Sequence, residues 1–314
     1  MRNQLAPLAI LLALGTTACS PSESADDGGE NVTVGVIPIV DVAPIYLGEK
    51  QGFFADRDID LKLEAGQGGA AIVPGVSSGD FQFGFSNLTS LMSAQTEGLK
   101  VQAVAPGVAS TGKAGDDFGA VVVPKGSSIK SAKDLPGHTV AVNTLNNIGD
   151  TTIRESIRVD GGKPDDVEFT EFGFPDMPAQ LDDGNVDAAW VVEPFLSIAK
   201  ESGARPIAWN YVDIADDLTV AAYFTTTEFV DKDPDLVKRF TAAMTESLEY
   251  AAKHPDEVRD ILSEYADIDA AIAEKITLPA WPSAINEKST ARLAELGVSD
   301  GVLKSEPDLK SLLP

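Results

Sequence analysis

Val32-Thr33-Val34-Gly35-Val36-Ile37-Pro38, continuing through Asp41-Val42-Ala43-Pro44-Ile45-Tyr46-Leu47-Gly48-Glu49-Lys50-Gln51-Gly52-Phe53-Phe54, decides how the rest of the chain is read. The opening residues form an almost unbroken apolar, β-branched run, the pattern of a strand covered on both faces in a parallel sheet. Pro38 marks a turn, and the residues after it read as a helix closed by Gly52. Asp41 is placed to cap that helix, and Pro44 sits where its missing N–H costs little. In an open α/β sheet, ligands bind where the carboxyl end of such a strand faces a helix N-terminus. The stretch therefore reads as the first wall of a cleft.

At 314 residues the chain is long enough for two lobes, because single cores stop growing at roughly 250–300 residues. Hydrophobic content of 43% and charged content of 23% suit a soluble globular protein. Asp and Glu number 49 against 24 Lys and Arg, a net charge of −25. Such a charge opposes binding to nucleic acid or to an anionic membrane surface. The first residues carry a different message. Arg2 precedes an apolar run over 5–14, too short for a mature span and suited to a signal-peptide core. Gly15-Thr16-Thr17-Ala18-Cys19 then resembles a bacterial lipobox, with the only cysteine as the lipidated residue. An ordinary cleavage site beside an incidental Cys is the plainer alternative. Residues 20–30 form a polar tether with little to bury. Residues 1–30 are thus expected to be a lipoprotein signal peptide and tether, and the protein to be exported and lipid-anchored. A lone cysteine leaves no intrachain disulfide.

Working outward, Ile59-Asp60-Leu61-Lys62-Leu63-Glu64 alternates at period two and reads as a strand. Gly66-Gln67-Gly68-Gly69 opens a short helix closed near Gly79. Residues 80–85 are a strand feeding Ser86-Asn87, one of which caps the next helix. Residues 101–105 are a strand and 106–117 a polar loop. The run 118–125 reads as a first crossover between lobes, and 218–225 as the return. Between them lie strands at 139–142 and 167–170, and helices from Thr151 and from Asp176. Gly184-Asn185-Val186-Asp187-Ala188-Ala189-Trp190-Val191-Val192-Glu193-Pro194 echoes Gly79-Asp80-Phe81-Gln82-Phe83-Gly84-Phe85-Ser86-Asn87: a turn, an apolar strand, then polar groups at a helix start. Two lobes of similar build are implied, each sending a strand end to the same gap. Residues 234–253 carry an apolar stripe at helical spacing, 255–265 form another helix and 289–296 a last one.

By strand-end logic the first lobe offers Pro38, Asp41, Val42, Tyr46, Gln67, Gly68, Ser86 and Asn87 to a ligand. The second offers Asn143, Asn146, Asp150, Thr151, Phe174, Trp190 and Glu193. Several have plain structural alternatives. Asp41 and Glu193 could serve only as helix caps, Tyr46 could pack beneath the cleft, and Trp190 could be core. Asn143 and Asn146, in a loop with Gly149 before a helix, present amides and backbone donors together. His138 and His254 read as exposed, so a His-built metal site is not expected. There is no P-loop or Cys/His pair, so phosphoryl-transfer and thiolate chemistry lack their residues. No cofactor is expected.

The order of these motifs resembles the periplasmic solute-binding proteins of ABC importers, in the nitrate/sulfonate/taurine and thiamine-precursor group. The resemblance rests on Ala43-Pro44-Ile45-Tyr46-Leu47 with Gly52-Phe53-Phe54, Ser78-Gly79-Asp80, Lys133-Asp134-Leu135-Pro136-Gly137, then Leu181, Gly184, Val186-Asp187-Ala188-Ala189 and Glu193-Pro194. It implies two α/β lobes joined by two crossover strands: 31–120 with 220–314 as lobe I, and 121–219 as lobe II. It further implies a non-enzymatic monomer that closes on a small solute and passes it to an ABC permease. The pyrimidine synthases that also resemble this group rely on histidine, a cofactor-binding lysine and a cysteine-rich segment, which this chain does not reproduce. No Lys or Arg stands at the expected strand ends; the nearest are Lys113 and Arg154. That favours a nitrogen heterocycle such as a thiamine-type pyrimidine over a sulfonate, taurine or nitrate.

Overall fold

The computed structural model describes residues 29–266 and 268–314, so the leader and Cys19 lie outside the described residues. Ten strands alternate with helices: β1 (Glu30–Val36), β2 (Ile59–Ala65), β3 (Phe83–Asn87), β4 (Val101–Ala109), β5 (Gly119–Val123), β6 (Thr139–Val142), β7 (Glu168–Glu171), β8 (Ala188–Val192), β9 (Arg205–Ala208) and β10 (Thr219–Thr226). They build two five-stranded sheets, β2-β1-β3-β10-β4 and β7-β6-β8-β5-β9. In each sheet the first three strands run parallel and the fourth antiparallel to both neighbours. β3 and β8, the strands that carry the internal echo, hold the same middle position. Each sheet is the heart of one α/β lobe.

The helices follow from local signals. α1 (Ala43–Lys50) comes after β1, with Pro44 in its first turn. α2 (Gly69–Ser78) ends at Gly79 in a left-handed conformation. α3 (Leu88–Thr96) is capped by Asn87, whose side chain accepts from Ser90 N. α4 (Ile148–Val159) follows β6 and is capped by Asn147. α5 (Met177–Asp182) and α6 (Phe195–Glu201) belong to the second lobe. After α7 (Thr227–Lys232), the long α8 (Pro234–Lys253) buries Leu236, Phe240, Ala243, Met244 and Leu248. Phe240 stacks on Phe83 at 3.9 Å, which ties α8 to the first sheet. Fully burying side chains of this size contributes about 1.5–3 kcal/mol each. α9 (Pro255–Tyr265) lies against α1, α10 (Ala270–Ala273) follows, α11 (Glu287–Ser299) touches both α3 and α4, and α12 (Leu309–Leu312) closes the described chain. No helix among the described residues is long and apolar enough to cross a membrane.

The chain passes between the sheets twice, over 110–118 and 209–218, before entering β5 and β10. Asp117 is fully buried in the first passage and accepts from Ser110 Oγ at 2.7 Å and from Thr111 N and Phe118 N at 3.0 Å. Two expectations need correcting. The crossovers expected at 118–125 and 218–225 are chiefly β5 and β10, paired within the sheets, and the links lie just before them. Residues 106–109 are not loop, because β4 continues through Pro106 to Ala109 beside β10. A proline is tolerated there because β4 is an edge strand with register shifts in its pairing. β9, short and half-polar, has no alternation long enough to stand out in the sequence.

Candidate functional site

Parallel strands that each lead into a helix put their carboxyl ends on one side of each sheet, and those sides face each other. The loops after β1 and β6, with residues of β3, β8 and β10, close around an inner chamber of about 20 Å³. Ile37, Ile39, Asp41, Phe85, Asn87, Val220 and Ala221 come from the first lobe. Asn143, Ile148, Phe174, Trp190 and Val192 come from the second, and Tyr211 from a passage between them. Three of the aromatic rings meet edge to face: Phe174 with Trp190 at 5.4 Å, and Trp190 with Tyr211 at 6.0 Å.

Within this apolar box, Asp41 Oδ1, Asn143 Oδ1 and Trp190 Nε1 are buried without a hydrogen-bond partner among the described residues. Each such atom costs about 1–3 kcal/mol. Three bordering one cavity form a set that a ligand would satisfy: two acceptors and one donor. Asp41 is 3% exposed, and burial pushes its carboxyl up to about 7. A hydrogen bond from its own backbone opposes that rise, and the nearby Asp117 adds to it. No basic side chain lines the chamber. The same carboxylate adds to burial in holding the hydroxyls of Tyr211, Tyr223 and Tyr265 well above the usual phenol range.

An outer chamber of about 350 Å³ opens beside the inner one and shares Ile37, Ile39 and Phe174 with it. Its other walls are Pro38, Ala65, Gly66 and Gln67 of the first lobe, and Gly173, Pro175, Asp176 and Phe195 of the second. Small-molecule sites usually span ~300–1,000 Å³. The outer chamber falls in that range and the inner one does not.

The sequence-predicted residues divide accordingly. Asp41, Asn87, Asn143, Phe174 and Trp190 border the inner chamber, and Pro38, Gln67 and Phe174 the outer. Asp41 does not cap α1; it sits in a short 3-10 turn over Val40–Val42 with no capping bond. Gly68 lies at the seam, where a Cβ would stand 3.1 Å from Asn143 Nδ2. The remaining expected residues line neither chamber. Val42 is fully buried core. Tyr46 stacks on Tyr265 at 4.0 Å, and the Tyr265 hydroxyl donates to Ile39 O, so the pair supports the β1 loop from beneath. Ser86 is buried against the start of α2, within 2.1 Å of where a Cβ on Gly69 would be. Asn146 is exposed with φ 51, and its amide donates to Asp150 Oδ2. Asp150, raised to about 6 chiefly by burial, and fully buried Thr151 lie inside α4, away from both chambers. Glu193 is fully buried, and its carboxylate accepts from Ser197 N, Ser197 Oγ and Thr277 N, so it caps α6 and fastens 274–277 to the second lobe. Burial raises its carboxyl to about 7.

Sequence reasoning missed Phe85, Tyr211 and Asn147. Phe85 and Tyr211 sit in apolar stretches indistinguishable from core. Asn147 is the residue that reaches the other lobe in place of Asn146: its Nδ2 donates to Ser90 Oγ at 3.0 Å. An N-cap signal four residues before the helix start expected at Thr151 could have found it. His138 pairs with Asp187 at 3.2 Å and His254 Nδ1 lies 2.8 Å from Tyr250 O; neither lines a chamber. Among the described residues no cluster of His, Cys, Asp and Glu could hold a metal ion.

Two lobes of matching strand order around a shared cleft define the periplasmic-binding-protein fold. Solved structures confirm the class. The alkanesulfonate-binding protein SsuA from Xanthomonas axonopodis pv. citri superposes with a TM-score of 0.78 at 14% identity, covering 91% of this chain and 99% of that one. The periplasmic nitrate-binding protein NrtA from Synechocystis PCC 6803 gives 0.76 at 14% identity, covering 91% and 86%. The chain belongs to the NMT1/THI5-like family, whose profile matches residues 39–258. Curated relatives include the 4-amino-5-hydroxymethyl-2-methylpyrimidine phosphate synthase THI12 of Saccharomyces cerevisiae, 22% identical over 225 residues, 68% of this chain and 64% of that protein. The taurine-binding periplasmic protein of Escherichia coli is 26% identical over 188 residues, 60% of this chain and 56% of that protein. The chain thus spans less than two thirds of the length of these curated relatives.

Proposed function

We propose that this protein is the solute-capturing component of an ABC importer. In this reading it is exported, is held at the outer face of the cytoplasmic membrane by lipid on Cys19, and acts as a monomer that delivers its solute to a permease. Lobe I comprises 31–120 and 220–314, and lobe II 121–219. A solute touching both lobes only when they are shut shifts the open–closed equilibrium by its binding energy. A micromolar site needs about −8 kcal/mol, within reach of a few hydrogen bonds and one stacked ring.

The solute is a nitrogen heterocycle of the aminopyrimidine type. The observation that carries this is the unpartnered Asp41 Oδ1, buried in an aromatic box with Asn143 Oδ1 and Trp190 Nε1 and with no cation beside it. A carboxylate in that position asks for N–H donors or a shared proton, which an aminopyrimidine edge offers to Asp41 while a ring nitrogen accepts from Trp190. The family's synthase relatives are named for a pyrimidine of this kind.

A sulfonate, taurine or nitrate is the second reading, supported by what other relatives are named for. Against it, both chambers lack Lys and Arg, and Asp41 would repel the anion. A synthase activity is disfavoured because neither chamber offers a His, Lys or Cys side chain. Calorimetry with 4-amino-5-hydroxymethyl-2-methylpyrimidine, taurine, an alkanesulfonate and nitrate tests the proposal. Micromolar binding of the pyrimidine alone supports it, and binding of the anions without the pyrimidine sinks it.

A further inference from the structure

The inner chamber holds the unpartnered polar atoms, yet at about 20 Å³ it has room for roughly one water molecule. The outer chamber has the volume of a small-molecule site but no unpartnered buried polar atom on its walls. The two are neighbours, with Ile37, Ile39 and Phe174 lining both. Phe195 extends the aromatic wall outward, its ring parallel to that of Phe174 at 6.5 Å. Polar recognition and space are therefore divided between two adjoining chambers.

From this separation we infer that the outer chamber is a second subsite, and that the solute is a two-part molecule: a nitrogen-bearing head whose hydrogen-bonding edge alone, not its whole ring, reaches into the inner chamber toward Asp41, Asn143 and Trp190, and an apolar arm lying between Pro38 and Phe195. The inference rests on the head assignment above and goes beyond it. The chemistry of the outer walls limits the arm. Ile37, Pro38, Phe174, Pro175 and Phe195 supply apolar surface, and the exposed rim carries Gln67 and Asp176 with no basic side chain. An uncharged or cationic arm fits such a rim and an anionic arm is repelled by Asp176. Gln67 and Asp176 stand on opposite lobes, so an arm that meets both also favours closure.

The test is calorimetric titration of the purified chain with four compounds: 4-amino-2-methylpyrimidine, and the same ring carrying a benzyl, a 2-aminoethyl or a carboxymethyl group at position 5. The benzyl compound should bind at least tenfold more tightly than the bare ring, and the aminoethyl compound more tightly than the carboxymethyl one. Asp176→Lys should reverse that last order. The substitution spares the fold, because Asp176 is exposed and makes no side-chain capping bond to α5. Phe195→Ala should erase the benzyl gain while leaving the bare ring's affinity within a few-fold. A bare ring that binds while every arm weakens it, or an order unchanged by Asp176→Lys, overturns the second subsite and leaves the head assignment standing. Failure of all four to bind overturns the head assignment and this inference together.

Discussion

Ser90 and Asn147 exchange hydrogen bonds across the seam between the lobes. Asn147 Nδ2 donates to Ser90 Oγ at 3.0 Å, and the Ser90 hydroxyl lies 3.2 Å from Asn147 Oδ1. Both residues are 4% exposed, one in the first turn of α3 and the other capping α4. Opening the lobes returns both groups to water, so the pair favours closure by its net worth of about 1 kcal/mol. Ser90→Ala removes the pair but keeps the Asn147 cap on α4. It leaves a buried amide unpaired in the closed form only, at about 1–3 kcal/mol. Solute affinity should fall roughly fivefold to a hundredfold. Small-angle scattering should show a larger mean radius for the variant. Unchanged affinity and radius would mean that the seam does not open in solution.

Farther along the same seam, Glu155 of α4 pairs with Arg292 of α11 at 2.8 Å and with Arg158 at 3.1 Å, and Arg158 in turn meets Asp300. α11 is fastened to the first lobe, since Ser289 Oγ and Asn286 N bond the two ends of Thr219 in β10. These pairs therefore bridge the lobes. Both arginines are partly exposed, so the set contributes on the order of 1 kcal/mol to closure and is weakened by salt. Raising NaCl from 0.05 to 1 M should open the wild type measurably by scattering. Glu155→Gln should be more open at low salt and respond less to added salt. A radius independent of salt in both proteins would remove the electrostatic bridge.

Gly112 sits in the first passage between the sheets with φ +72, and a Cβ there would stand 2.1 Å from the carbonyl oxygen of Asp216 in the second passage. Only glycine lets the two strands of the hinge lie this close. Gly112→Ala should cost about 2 kcal/mol, lowering the thermal midpoint by roughly 4–8 °C. Gly115→Ala is the control: it has φ +93 but nothing within 4 Å, so it loses only the conformational part. Equal midpoints for the two variants would show that the passages are not in contact.

How much of this could be read in the sequence depended on whether the signal was local. α8 and α9 begin at prolines and end where the apolar stripe ends, and the sequence bounds match the observed ones. β6 was legible because turns bracket an unbroken apolar run. β4 was cut short at Pro106 because a proline reads as a stop unless the strand is known to lie at an edge. Position after a strand pointed to Asp41, Asn87 and Asn143, which border the inner chamber. That logic could not separate Asn146 from Asn147, because one step along a loop swaps an exposed side chain for a buried one. The same strand-end logic also offered Glu193 and Tyr46 to the ligand. Their partners, Thr277 and Tyr265, lie 84 and 219 positions away, and no local pattern reveals them.

Asp41 links stability, pH and binding. Its carboxyl stands at about 7 in the folded chain against 3.8 unfolded, so between those values the folded state holds the extra proton. Stability therefore falls as pH rises from about 4 to about 7, and levels off above that. Glu193, at about 7, and Asp150, at about 6, act in the same direction. Asp41→Asn removes one of these three contributions. Without solute, its thermal midpoint should decline less steeply than the wild type's between pH 5 and 8, and stand higher at pH 8. Binding should change in the opposite sense. Losing a charge-assisted hydrogen bond of about 1.5–3 kcal/mol weakens an aminopyrimidine roughly ten- to hundredfold. A variant that is stabler at pH 8 yet blind to the solute would tie the buried charge to recognition. One that gains stability and still binds as before would make Asp41 a defect of the cleft and not its anchor.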